Sequence, residues 1–343
     1  MFIIVGVWGS RERKIKAAYQ FFLYTLVGSL LMLLGIMVIY FQAGTTDLQV
    51  LWSLEFSEKK QLILWLAFFA SFAVKVPMIP FHIWLPEAHA EAPTCGSVIL
   101  AGVLLKMGGY GFLRFSLPMF PIASIYFSPF IFILSLVATV YASLTTLRQV
   151  DLKKIIAYSS VAHMGFVTIG IFTLNIQGIE GAIILMLSHG LVSSALFLCI
   201  GVLYDRYHTR IIKYYSGLVQ VMPIFTIFFL FFSFANIGFP GTSSFVGEVL
   251  VLIGSFQIST ILTFFSASSM ILGAAYSIWL LNRISFGVLR THYFHYFQDV
   301  SRRELWVLIL LSIVVVWVGI YPNIFLNEMH VSVFGLLEQL VHS

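Results

Sequence analysis

Lys75, Lys106, His163, His189 and Glu248 each stand inside an otherwise apolar stretch, one residue per stretch. A charged side chain at mid-bilayer costs about 2.5–3.5 kcal/mol on insertion scales, so such residues face a polar interior and carry function. Burial lowers a lysine's proton affinity and a nearby carboxylate raises it, so a moving partner changes its protonation. Histidine titrates near neutral pH, which suits proton hopping. Lys75 precedes Pro77, where a broken helix frees carbonyls that can solvate an ammonium; the bland alternative is a lysine that snorkels to an interface. Lys106, in SVILAGVLLKMGGYG, has small residues on both sides, which let helices and water approach closely. His163 (AYSSVAHMGFV) and His189 (LMLSHGLVSSALF) lie in adjacent stretches at similar depth, which favours a relay over two satisfied hydrogen bonders. Glu248 follows the GFPGTSS break and can pass a proton on to water. A histidine pair with no cysteine and no third histidine nearby is a poor metal site. His82, Glu87, His89 and Glu91, in PFHIWLPEAHAEAP, have no established metal spacing; they read as an amphipathic re-entrant segment capping the broken helix, with a part in proton uptake left open. Asp151, in LRQVDLKK, is expected to balance loop lysines.

The elements that must position these residues are membrane helices. The 343 residues are 60% hydrophobic and 10% charged, with a mean hydropathy of +0.98. Soluble domains carry about 25% charged residues, so lipid must be the solvent of this chain. Nine apolar runs are long enough to span: Tyr19–Gln42, Gln61–Pro80, Thr94–Phe115, Ile122–Thr146, Lys154–Leu174, Glu180–Tyr204, Met222–Phe256, Ser259–Phe286 and Glu304–Tyr321. The opening MFIIVGVWGSRERK has its charges after a short apolar run, unlike a signal peptide; it reads as the end of a helix whose beginning is absent. Asn323–Ser343 reads as a short amphipathic tail helix. Most of the 19 lysines and arginines fall in alternate loops, around Arg11–Lys16, Arg148–Lys154, Arg206–Lys213 and Arg283–Arg303 with Arg290. The other side has only Lys59, Lys60 and Arg114. That alternation is the topology signal that marks the cytoplasmic or matrix face, and it explains the formal charge of +5 without nucleic acid. Cys95 and Cys199 have no CxxC partner, which excludes a disulfide framework and a cysteine-ligated iron–sulfur cluster carried by this chain alone. No dinucleotide or P-loop glycine motif is present.

Two spans are interrupted, at SFAVKVPMIPFHIWLP and at ANIGFPGTSSFVGEVL. Broken backbone at membrane depth is tolerated only where it lines a cavity or is buried in protein. Interrupted helices in corresponding positions of two halves point to inverted repeats with the functional site between them. Pro77 and Pro240 lie five spans apart, and an odd-numbered repeat must invert in the membrane. The predicted fold is therefore an all-α polytopic membrane protein of inverted five-helix repeats. Residues 1–115 hold the remainder of the first repeat, 116–290 the second, and 291–343 a final span and tail.

The segments KVPMIPFHIWLPEAHAEAPTCGSVILAGVLLKMGGYGFLRF, DLKKIIAYSSVAHMGF, LMLSHGLVSSALFLCIGVLYDR and GFPGTSSFVGE closely resemble the chain 4 family of mitochondrial NADH:ubiquinone oxidoreductases, in wording nearest to plant and algal forms. That family belongs to the antiporter-like subunits shared with Mrp-type cation/proton antiporters. The resemblance covers essentially the whole chain. It implies a proton-pumping subunit in the membrane arm of respiratory complex I, in the mitochondrial inner membrane. It implies that Lys75 is the broken-helix lysine that pairs with a glutamate, Lys106 the central-axis lysine, His163 and His189 the histidines between the halves, and Glu248 the terminal acid. Glutamate at that last position separates chain 4 from chains 2 and 5, which carry lysine. The resemblance further implies that NADH, FMN, iron–sulfur clusters and ubiquinone are bound by other subunits, and that chains 2 and 5 are neighbours. The chain aligns from the end of the family's helix 5, so the four preceding helices and the glutamate are expected from a separate polypeptide. Two other readings use the same membrane residues: a stand-alone cation/proton antiporter, and a non-pumping scaffold of the membrane arm.

Overall fold

The computed structural model describes residues 1–289 and 298–342. Arg290, the boundary expected at 290/291 and Ser343 lie outside the described residues. The helices are α1 (Phe2–Trp8), α2 (Lys14–Ala43), α3 (Leu48–Trp52), α4 (Glu58–Lys75), α5 (Trp84–Glu91), α6 (Thr94–Met119), α7 (Pro121–Leu147), α8 (Leu152–Phe172), α9 (Ile176–Tyr207), α10 (Pro223–Ile237), α11 (Ser243–Ile258), α12 (Thr260–Ser285), α13 (Arg302–Ile320) and α14 (Asn323–His342). Seven of the described helices are long and apolar enough to cross a bilayer: α2, α6, α7, α8, α9, α12 and α13. A crossing takes about 20 helical residues. Neither α10, with 15 residues, nor α11, with 16, is that long; joined end to end they make one interrupted crossing. The nine expected spans thus appear as seven continuous crossings and two interrupted ones. The opening fragment is α1, whose Val5 packs with Ala17, Ala18 and Ala92.

The interruptions have different chemistry. α4 stops at Lys75 because Pro77 and Pro80 lack N–H donors and their rings clash with the preceding turn. The carbonyls there are taken by backbone and by an indole: Met78 N–H donates to Ala73 O at 2.9 Å, and Trp84 Nε1 donates to Val74 O at 3.0 Å. The Val74 carbonyl is therefore not left for the Lys75 ammonium. α10 stops at Gly238, whose φ of +81° is the left-handed conformation that ends a helix. Phe239 N–H closes that end on Phe234 O at 3.2 Å.

The expectation for residues 81–93 needs correction. In α5, Trp84, Leu85, Pro86, Ala88, His89, Ala90 and Glu91 are all buried, and Glu87 alone is partly exposed, so the helix is mostly enclosed and not amphipathic in the sense expected. It is the second limb of the first interrupted crossing, enclosed by α2, α6 and α8.

The basic loops gather at one end, as the alternation required. Arg11 and Arg210 flank Asp151 at 4.0 and 3.9 Å, Lys154 reaches Glu87 at 2.5 Å, and Lys153 Nζ donates to Ala92 O at 2.7 Å. Asp151 therefore lies between two arginines and is also within electrostatic range of Lys153, as expected of a carboxylate that balances loop lysines; it caps α8 through the Lys153 N–H as well. At the other end Lys60 Nζ meets Gln42 at 3.1 Å and Arg114 lies over the Trp52 ring at 4.4 Å. Burial sorts the crossings: 89% of the α8 span and 72% of the α9 span are enclosed, against 17% for α2 and for α13. The two helices that carry the histidines form the centre, and α2 and α13 lie at the periphery of the described residues.

Candidate functional site

Four of the five singled-out residues converge between α6, α8, α9 and α11. Lys106 Nζ lies 2.8 Å from His189 Nδ1. The rings of His189 and His163 are 5.6 Å apart, centroid to centroid. His163 Nδ1 lies 3.5 Å from Glu248 Oε1. His163, His189 and Glu248 are all buried. The result is a line of ionisable groups from half-buried Lys106 to buried Glu248.

Local backbone places each member. α6 contains two wide π-helical turns, Leu100–Leu104 and Phe112–Ser116, on either side of the turn that carries Lys106. Such bulges mark functional positions in helices. The first frees the Ala101 carbonyl, and Lys106 Nζ donates to it. On the facing helix, Gly190 has no side chain where a Cβ would meet Gly102 O at 3.1 Å and Lys106 Cε at 3.4 Å. That close approach of α6 and α9 lets the lysine reach His189. Glu248 sits one turn into α11, and its carboxylate lies against the backbone of Gly238 at the second break. The broken helix thus brings peptide groups to the acid.

Lys75 is not part of this line. Its Cβ is against Gly108, half a turn along α6 from Lys106, and it makes no ion pair among the described residues. Among the described residues, the second ring nitrogens of His163 and His189, and Glu248 Oε2, have no hydrogen-bond partner.

Sequence reasoning overlooked Tyr276, Asn236 and Ser159. Tyr276 of α12 stands beside Asn236 of α10 and Ser159 of α8 at one small cavity, and it lines a second together with Glu248. A cavity of about 10 Å³ is lined by His163, Glu248, Asn236 and Tyr276, and one of about 20 Å³ by Ser159, Asn236 and Tyr276. Volumes of that size hold about one water each. His89, fully buried in α5, stacks on Phe197 with centroids 4.5 Å apart, has no hydrogen-bond partner for either nitrogen among the described residues, and is within electrostatic range of Lys153 and Lys106. The signal for Tyr276 and Asn236 was their polarity in long apolar runs, one of them directly before a break. Among the described residues no group of three or more histidines, cysteines or acids converges as a metal site would require.

Comparison with known proteins places this arrangement. The family described as NADH:quinone oxidoreductase/Mrp antiporter, transmembrane, matches residues 1–273. NADH-ubiquinone oxidoreductase chain 4 of Chondrus crispus is 77% identical over 343 residues, covering all of this chain and 70% of that one. The chain 4 of Marchantia polymorpha is 66% identical over 338 residues, covering 98% of this chain and 68% of its own. Among solved structures, a chain of respiratory complex I from Thermus thermophilus with bound NADH superposes with a TM-score of 0.91 at 30% identity, over 99% of this chain and 72% of that one. A chain of the Mrp complex from Dietzia sp. DQ12-45-1b shares the fold, with a TM-score of 0.85 at 17% identity over 96% of this chain and 71% of its own. The chain belongs to the NADH:quinone oxidoreductase/Mrp antiporter transmembrane family, within the group of NADH-ubiquinone oxidoreductase chain 4.

Proposed function

We propose that this chain is a membrane-arm subunit of respiratory complex I in the mitochondrial inner membrane, and that it carries protons along Lys106, His189, His163 and Glu248. The observation that carries the reading is the continuity of that line: contacts of 2.8 and 3.5 Å joined by two histidine rings 5.6 Å apart. A protonated Lys106 donates to His189 Nδ1. The proton on the other side of that imidazole then moves to His163, whose Nδ1 hands it to Glu248 Oε1. Histidine suits the middle steps because it binds a proton at one ring nitrogen while releasing one from the other. Beyond Glu248, the small cavity beside Asn236 and Tyr276 has room for the water that accepts the proton. Loading is from the basic face, which is the matrix side.

Lys75 acts on the line by charge. It stands beside the same stretch of α6, and a change in its ion pairing shifts the proton occupancy of Lys106. Its carboxylate partner comes from outside the described residues. The two interrupted crossings support the inverted halves at 1–115 and 116–290. α4–α5 ends at the basic face beside Lys153, whereas α10–α11 begins there, its first N–H groups bonded to Asp299 at 3.0 and 3.1 Å. Of the expected last unit, α13 and α14 pack against α9, and α13 also against α11. NADH oxidation and ubiquinone reduction take place on other subunits, which hold the FMN and iron–sulfur clusters, and the antiporter-like chains 2 and 5 flank this one.

The test is Lys106→Ala in the assembled complex, in sealed vesicles supplied with NADH. Assembly and NADH binding are expected to persist while the pH gradient formed per NADH oxidised falls. An undiminished gradient at normal turnover overturns the relay.

A further inference from the structure

The two small cavities beside Glu248 are neighbours in depth. The one of about 10 Å³ touches His163 and Glu248, and the one of about 20 Å³ touches Ser159, Ser233 and Ser277. Asn236 and Tyr276 line both. The second cavity lies nearer the basic loops. Along α8, which starts at that face, it is lined at Ile155, Ile156 and Ser159, whereas the first is lined at Ala162, His163 and Phe166. α12 runs the other way and carries Arg283 in its last turn. There the second cavity reaches Leu280, and the first extends back to Ser269.

Both cavities suit water, about one molecule each. The hydroxyls of Ser159, Ser233 and Ser277 donate to carbonyls of their own helices, Ile156 O, Leu230 O and Gly273 O, at 2.8, 2.9 and 2.7 Å. Each then has only an accepting oxygen left for a neighbour. Asn236 and Tyr276 are buried. The Tyr276 hydroxyl reaches back along α12 to Gly273, 3.8 Å from where a Cβ would stand there, so the ring spans the turn between the two cavities. If the cavities were joined, Glu248 could lose its proton to the side it came from. The carboxylic acid would give its proton to the first water, that water would pass one of its own to the second, and a carboxylate would remain. The wall of the second cavity toward the loops is apolar, with Ile155, Ile156 and Leu280. An apolar constriction gates by staying dry, and one isolated water wets it less readily than a cluster does.

We propose that Tyr276, with Asn236 beside it, is the partition that keeps a proton delivered to Glu248 from returning to the basic face. Tyr276 is a positioning residue here: its ring holds two waters apart, and its hydroxyl carries no proton. The proposal rests on the proton-carrying reading, because a partition matters only where a proton arrives.

The experiment uses the assembled complex in sealed vesicles and takes two readings: the pH gradient formed per NADH oxidised, and the rate at which an imposed gradient decays without NADH. Tyr276→Ser removes the ring, and is expected to lower the yield and speed the decay. Tyr276→Phe keeps the ring, and is expected to leave both unchanged. A loss in Tyr276→Phe as large as in Tyr276→Ser overturns the proposal, because the hydroxyl would then be a carrier. A normal decay in Tyr276→Ser overturns it too. Where Tyr276→Ser fails to assemble, Asn236→Ala opens the same partition from α10 and is expected to speed the decay to a lesser degree; a normal decay there overturns the proposal in turn. The relay fails differently. Lys106→Ala is expected to lower the yield without speeding the decay, whereas a lost partition does both. If Lys106→Ala pumps normally while Tyr276→Ser leaks, the relay falls and the partition stands.

Discussion

At the scale of single residues, the proton line makes two claims that charge alone does not. Lys106→Arg keeps a cation on α6 but cannot release its proton, because a guanidinium stays protonated at any physiological pH. Assembly is expected to survive in this variant and the proton yield per NADH to drop as far as in Lys106→Ala. Recovery of pumping would mean that the position needs a charge, not a carrier. The second claim is that the groups act in series. Glu248→Gln preserves shape and removes the acceptor. The double variant with Lys106→Ala is expected to pump no worse than either single one, since steps that act as a unit are not additive. Additive losses, read from the same vesicle assay, would indicate two separate paths. All five ionisable residues were visible in the sequence because hydrocarbon makes a charge conspicuous. What connects them was not. Asn236, Tyr276 and Ser159 carry no charge, and lone polar residues are common in membrane helices. Which imidazole nitrogen of His189 meets Lys106 depends on the wide turn at Leu100–Leu104, which no residue type announces. Lys75 was singled out with the rest on the same reasoning, yet its side chain stands outside the line.

At the scale of elements, the second break offers a matched pair of glycines. Gly238 has φ +81° and Gly241 φ +90°, so alanine at either adopts a left-handed conformation at a cost of about 1–2 kcal/mol. Only Gly238 adds a second penalty, because its Cβ would meet the Glu248 carboxylate; a Cβ at Gly241 would meet nothing within 4 Å among the described residues. Gly241→Ala is therefore expected to lower thermal stability slightly and leave pumping unchanged, whereas Gly238→Ala lowers both. Equal behaviour in melting curves and proton yield would mean that the break is only a hinge in the chain and does not position the acid. Proline and glycine marked both breaks in the sequence, because each disrupts the helical ladder by a known mechanism. The extent of the first interrupted crossing was harder to see. PEAHAEA looks polar enough for a surface segment, and only its enclosure by α2, α6 and α8 turns it into the second limb of a crossing.

At the scale of the whole molecule, the two halves are fastened at the basic face around one side chain. Arg210, on the connection between α9 and α10, is 1% exposed, and it lies 3.8 Å from Glu91 at the end of α5 and 3.9 Å from Asp151 at the start of α8. Its guanidinium also lies 5.5 Å from the Tyr204 ring. Neither ion pair is close enough for a hydrogen bond, so attraction offsets only part of the cost of removing the charges from water. A pair of this kind adds little net stability when present but costs about 3–5 kcal/mol when one partner is removed and the other stays buried. Arg210→Met is thus expected to loosen α5 from α8 and to reduce the assembled complex on a native gel, with a lower melting temperature. Glu91→Met alone leaves the arginine one close carboxylate, Asp151, and is expected to cost less. The double variant Arg210→Met, Glu91→Met removes both buried charges. Asp151 keeps Arg11, at 4.0 Å and half exposed, so the double variant is expected to assemble better than Arg210→Met. If it assembles worse, the ion pair itself holds the halves together, and the fastening is electrostatic where the distances argue for packing around a compensated charge.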